Sequence, residues 1–286
     1  MGLALHDNHN DHDCNCQDYS CKTPEKSFVK RFWHSVTVSK ISEKLQTSEA
    51  IATHVSDTKE IWGIFLDDRL LKTPRGALFH GSKDLIHLAA KEWLKAGNEN
   101  IERIFSPKKM LVTNMINTSI DHLPHHRDAV INHICSYSLS DTLCYRVQTP
   151  ELLREKQIKH WDPIIEWCKD ELGIPLNLTF ELCFVEQPTG TCEKFSLHLS
   201  NLPDIQLSAL HNLVAYTGSL VLIFAIFYKR LTEFEAWEIA HLEEICCFPT
   251  AYKKISLKDF WNTKKWDRVC FDTACAVAFC TEQNRR

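Results

Sequence analysis

The chain predicts an α+β protein: a small N-terminal β-meander with one helix, followed by a mainly α-helical domain. Three observations carry this. Residues 28–81 break into short apolar runs separated by turn-forming residues. Residues 107–245 show mostly helical spacing between caps and breakers. The most apolar stretch, residues 220–228, is far shorter than the roughly 20 residues a spanning helix needs, so it belongs inside a protein core. At 286 residues the chain has length for about two domains. Its 44% hydrophobic and 24% charged content is that of a folded protein.

Residues 1–27 lack apolar periodicity and read as a disordered tail. The N-terminal α+β domain, residues 28–106, opens with "FWHSVTV", a strand pattern. A polar connection leads to "IWGIFLDDRLLKTPRGALF", where Asp67-Asp68 and Pro74-Arg75-Gly76 supply turn chemistry between short β-runs. In "GSKDLIHLAAKEWLKAG", Ser82 caps a helix whose Leu85, Leu88, Ala89 and Trp93 share a face, and Gly97 stops it.

The helical domain, residues 107–248, predicts helices at about 108–122, 127–137 and 151–172, the last ended by Gly173 and Pro175. "LTFELCFVE" places Leu178, Phe180, Leu182 and Phe184 at period two, which predicts a strand on an edge of the meander. Thr232 and Glu235 form a T-x-x-E capping box that starts another helix. Trp237 and Leu242 would face the core there, with Glu243 and Glu244 at its edge or in solvent.

Several function classes lose support on composition. The formal charge of −4 comes from 33 basic against 37 acidic residues, which disfavours nucleic-acid binding. With 8 glycines and no phosphate-cradling motif, a nucleotide-driven mechanism is not expected. Thirteen cysteines, an odd number scattered along the chain, fit small core residues in a reducing compartment better than a disulfide framework. No G-x-S-x-G elbow occurs. In the tail, His6, His9, His12, Cys14, Cys16 and Cys21 are close, but no C-x-x-C pair organises them for metal. Neither a cofactor nor insertion into a membrane is expected.

One catalytic alternative is a metal-dependent helical-bundle enzyme using Glu238 and His241. An i, i+3 Glu/His pair is the repeating unit of di-metal carboxylate sites. No second copy accompanies it.

Fragments in order carry a family resemblance: "KRFW", "FLDDRLLKTPRGALF", "AAKEW", "NTSID", "SDTLCYRVQTPELLREKQIKHWDPIIEW", "LHNLVAYTGSLVLIFAI" and "LTEFEAWEIAHLEE". Over about residues 30–244 the chain resembles the mitochondrial ATP synthase assembly factors that chaperone the alpha subunit. The resemblance implies a non-enzymatic, ATP-independent chaperone of the mitochondrial matrix, although no import presequence is legible in residues 1–27. Its expected partner is the unassembled alpha subunit, and its expected helical domain is an orthogonal bundle. By the same resemblance Glu243, Glu244, Asp141 and Arg146 are client-contact candidates, with solvated helix charges the equal alternative for the first two and a polar junction between helices that for the last two. Trp93, Asp67, Arg69, Lys72, Pro74, Trp161, Gly218 and Trp237 are structural motif positions. The hairpin turn has Asp68 where glycine is common in the family, and residues 249–286 read as a divergent C-terminal segment.

Overall fold

The computed structural model describes residues 29–44, 60–98, 104–181, 183–251 and 264–279. The expected tail and its His/Cys cluster lie outside these. Apolar runs in the N-terminal region pair as the meander requires. Strand β2 (Val36–Lys40) runs antiparallel to β3 (Trp62–Leu66), with Val36 opposite Leu66 and Lys40 opposite Trp62. A one-turn helix α1 (Ile41–Lys44) follows β2. β4 (Arg69–Leu70) and β5 (His80–Gly81) both pair with β3. A separate two-stranded pair joins β1 (Val29–Lys30) to β6 (Ile104–Phe105).

The β3–β4 hairpin turns without glycine. Asp67 and Asp68 both adopt positive φ, 46° and 65°. Such mirror-image turns match the twist of the flanking strands, and short polar side chains tolerate the left-handed region better than most. The Asp67 carboxylate accepts the backbone N–H groups of His34 (3.0 Å) and Ser35 (2.8 Å). Those bonds hold its pKa down to about 2. Helix α2 (Lys83–Lys95) covers the sheet with Leu85, Ile86, Ala89 and Ala90; Ser82 Oγ caps it and Gly97 follows at φ 73°.

The helical part comprises α3 (Leu111–Asp121), α4 (Leu123–Ser136), α5 (Glu151–Leu172), α6 (Thr191–Leu199), α7 (Asp204–Thr217), α8 (Leu220–Phe227), α9 (Glu233–Ala240), α10 (Leu242–Ala251) and α11 (Lys265–Phe279). α5 has the expected bounds, closed by Gly173 at φ 67°. α4 is kinked at His126 (φ −132°, ψ 20°), so its regular part begins at Arg127 as expected, and Pro124 lies in the short turn before the kink. All of Leu220 to Ile226 is buried, and among the described residues no helix is long and apolar enough to cross a membrane.

One expectation is corrected. The described residues among 178–186 form no strand on the meander. Thr179 makes one isolated parallel bridge, to Tyr145 in the helical part, and the Gln187 side chain bonds both backbone groups of Asn177 (2.9 and 3.1 Å), closing a loop. Alternation makes a strand only where an edge is in reach, and here side-chain amides satisfy the backbone instead. The C-terminal segment, read as divergent, enters the core. α11 buries Cys270, Phe271, Ala274, Cys275, Val277 and Ala278 and packs along α7, where Gln206 Nε2 donates to the Ala278 carbonyl (2.8 Å). Small side chains on that face let the two helices approach closely.

One apolar cluster runs from Trp33 and Ile64 in the N-terminal unit through to Val277. The division at residue 106 therefore separates two architectures that share a core.

Candidate functional site

The fragments quoted above meet at joints. In "AAKEW", Glu92 accepts the backbone N–H groups of Val112 (2.8 Å) and Thr113 (2.9 Å), capping α3, and burial raises its pKa. Trp93 Nε1 donates to Thr113 Oγ1 (3.1 Å), and its ring lies edge-on to Trp33 of "KRFW" at 4.9 Å. Trp93 is half-buried in these contacts. Asp121 of "NTSID" is buried and accepts from Thr73 Oγ1 (2.6 Å) and from the Arg75 backbone (3.1 Å). The exposed Pro74 lies between these two contacts, while Arg69 and Lys72 are exposed on the meander.

A second joint closes over α8. Asp141 has no exposed surface; its carboxylate accepts the N–H groups of Leu143 (3.0 Å) and Val221 (3.1 Å) and bonds Ser219. It sits at the N-terminal end of α8, where the helix dipole favours negative charge. Burial nonetheless pushes its pKa up to about 6. Gly218, at φ 62°, is locked beside it, because an added Cβ would stand 2.5 Å from Thr142 Oγ1.

Arg146 is also interior. It pairs with Asp162 (2.7 Å), lies 5.2 Å from the centre of the Trp161 ring, and donates Nε to the Leu143 carbonyl (2.9 Å). Burial lowers its pKa. Asp141 and Arg146 therefore hold helices together, and of the two readings open for them their burial fits the polar junction between helices.

From Arg146 the polar chain leads outward. Buried Gln157 accepts from the Val147 backbone (2.9 Å) and donates to Glu243 Oε1 (3.0 Å), while buried Trp161 donates to the Ile239 carbonyl (3.1 Å). Glu243 and Glu244 are exposed at the start of α10. Burial of its inner side, then its neighbour Glu244, raises the pKa of Glu243. Glu244 is bridged by Lys264 (3.3 Å). Behind them Trp237 packs on Phe271 of α11.

The Glu238–His241 metal pair is corrected as well. α9 ends at Ala240, and His241 turns inward: it is buried, its ring 4.0 Å from that of Trp237, with Nδ1 bonded to the Trp237 carbonyl (2.9 Å). Glu238 is exposed. Among the described residues no group of three or more His, Cys, Asp or Glu could hold a metal ion.

Beside the acidic pair an open groove of about 870 Å³ runs between α5 on one wall and the end of α8, α9 and the start of α10 on the other. Glu92, Asp121, Gln157 and Ser219, which join these elements, were missed in the sequence. Capping preferences do not reveal a carboxylate that caps a helix distant in the chain. These arrangements are structural joints around an open groove with an acidic shoulder, the anatomy of a binding scaffold.

Comparison with known proteins agrees. The model of the family described as "ATP12 chaperone protein" matches residues 30–169. Atu1473, a candidate chaperone from Agrobacterium tumefaciens, is similar at 29% identity over 88% of this chain and 85% of its own, with a TM-score of 0.70. Atp12 from Paracoccus denitrificans is similar at 26% identity over 86% of this chain and 95% of its own, TM-score 0.66. An Asp-to-Lys variant of that protein has 25% identity and a TM-score of 0.67. The fold and these likenesses define a chaperone. Over residues 30–169 the chain matches the ATP12 chaperone family, the family its ordered fragments resemble, and this likeness supports a chaperone of ATP synthase assembly.

Proposed function

We propose that this chain is an ATP-independent holder of the unassembled alpha subunit of ATP synthase, acting in the mitochondrial matrix and releasing its client into the catalytic head. An unassembled subunit exposes apolar surface that its neighbour later covers, and such patches aggregate. A holder has to cover that surface reversibly and needs no bond-making chemistry. The observation that carries the reading is the contrast among the four contact candidates: Asp141 and Arg146 are spent inside, whereas Glu243 and Glu244 stand exposed beside an open groove.

Co-expression with the alpha and beta subunits separately tests the reading. Capture of alpha alone is expected; equal capture of both, or of neither, overturns it. Glu244→Lys should weaken capture with little change in Tm, because only one exposed ion pair is lost from the fold. A collapse of Tm would instead assign Glu244 to the fold.

A further inference from the structure

The groove beside α10 is apolar along its floor, and the unpaired charges of its α5 wall are separated by sign. Ile164 of α5, Ile239 of α9 and Leu242 of α10 form the base, with half-buried Trp167 and Ile245 reaching into it. Lys156 and Lys159 rim one end, and among the described residues neither has a carboxylate partner. Toward the other end of α5 stand Glu166 and Asp170, likewise without ion pairs among the described residues. Arg230 pairs with Glu171, and Glu235 is spent in the capping box with Thr232.

This order of charge is unfavourable to α5 alone. Asp170 and Glu171 lie in its last turn, where the helix dipole disfavours carboxylates. From Lys156 to Asp170 the helical rise of about 1.5 Å per residue gives a length of about 21 Å, close to four turns of a second helix. Helices commonly carry acids in the first turn and bases in the last. One that lay parallel to α5 would set its acids against Lys156 and Lys159 and its bases against Glu166 and Asp170, with an apolar stripe on the floor.

We propose that this groove seats one amphipathic helix of the client, about four turns long, acidic at its N-terminal end, basic at its C-terminal end, and parallel to α5. The proposal rests on the chain being a holder of an unassembled subunit, and its test separates the two ideas.

Two stapled, fluorescein-labelled peptides of about 15 residues share one apolar stripe and one composition; one has Glu in the first turn and Lys in the last, the other the reverse. Fluorescence anisotropy with the full chain should show the first binding about tenfold tighter. A chain with Lys156→Glu, Lys159→Glu, Glu166→Lys and Asp170→Lys should reverse the preference while keeping or slightly raising its Tm, since these side chains carry no ion pair among the described residues and the swap suits the dipole of α5. Binding of neither peptide, equal binding of both, or a preference that survives the charge swap overturns the proposal.

The swapped chain should also lose capture of the alpha subunit. Retained capture would place the client elsewhere, ending the groove proposal while leaving the chaperone reading intact. Wild-type chain that discriminates the peptides but captures no alpha subunit would support the groove as a helix seat and end the chaperone reading.

Discussion

Helix α8 and the loop of residues 178–186 are both rich in apolar residues, yet they have opposite fates. Every side chain from Leu220 to Ile226 is buried, while Phe180 and Phe184 are 56% and 67% exposed. The difference lies in their ends. α8 begins on a prepared socket: Ser219 Oγ accepts the Leu222 N–H (3.1 Å), and the Asp141 carboxylate accepts that of Val221. With its first turn satisfied, the helix can enter the core without stranding polar groups. The loop is held by Asn177 and Gln187 at its base and by one bridge at Thr179, which fixes its position without providing a second apolar face. Hydrophobic composition drives burial only where backbone polar groups can be paired on the way in.

The sharpest way to break this contrast is truncation on both sides of it. Leu222→Ala should cost about 3 to 4 kcal/mol in chemical denaturation, because a fully enclosed side chain leaves a cavity. Phe184→Ser should stay within about 0.5 kcal/mol of wild type. Similar losses from the two would show that the loop is packed after all.

Asp141→Ala comes next, at about 2 to 3 kcal/mol, since it leaves the buried N–H groups of Leu143 and Val221 without an acceptor. Its pH dependence sharpens the point. With the folded pKa raised from 3.8 to about 6, the native state holds a proton that the unfolded chain releases. Stability referred to Asp141→Asn should therefore fall as pH rises from about 4 to about 6 and level off above, as thermal melts of both proteins across that range would show. A flat difference would mean that burial does not perturb the carboxyl.

The smallest effect is expected at the exposed cap of α9. Thr232→Ala removes the bond from the Glu235 N–H (3.2 Å) and should lower stability by about 1 kcal/mol. A loss as large as that at Asp141 would show that α9 depends on its cap as strongly as α8 does on its socket.

Much of the fold was legible because its signals are local. The Ser82 cap, the Gly173 stop and the Thr232–Glu235 box each depend on residues within a few positions of one another, and each forms as expected. Within the candidate site, the exposed placement of Glu243 and Glu244 and the packing of Trp237 followed from helical spacing. The inward turn of His241 did not, because it depends on where α9 ends and on the tryptophan beneath its ring.

By itself, then, the sequence determined the α+β class, the main helices with their caps, the interior fate of α8 and, through its ordered fragments, the family likeness. The tertiary structure decided that residues 178–186 close as a loop, that α11 belongs to the core, that Asp141 and Arg146 are joints, and that α5, α9 and α10 enclose a groove of ordered charge. The physical reason is range. Caps, turns and periodicity act across one or two turns of chain, whereas Asp141 meets Val221, and Gln157 meets Glu243, only after folding has brought distant segments together.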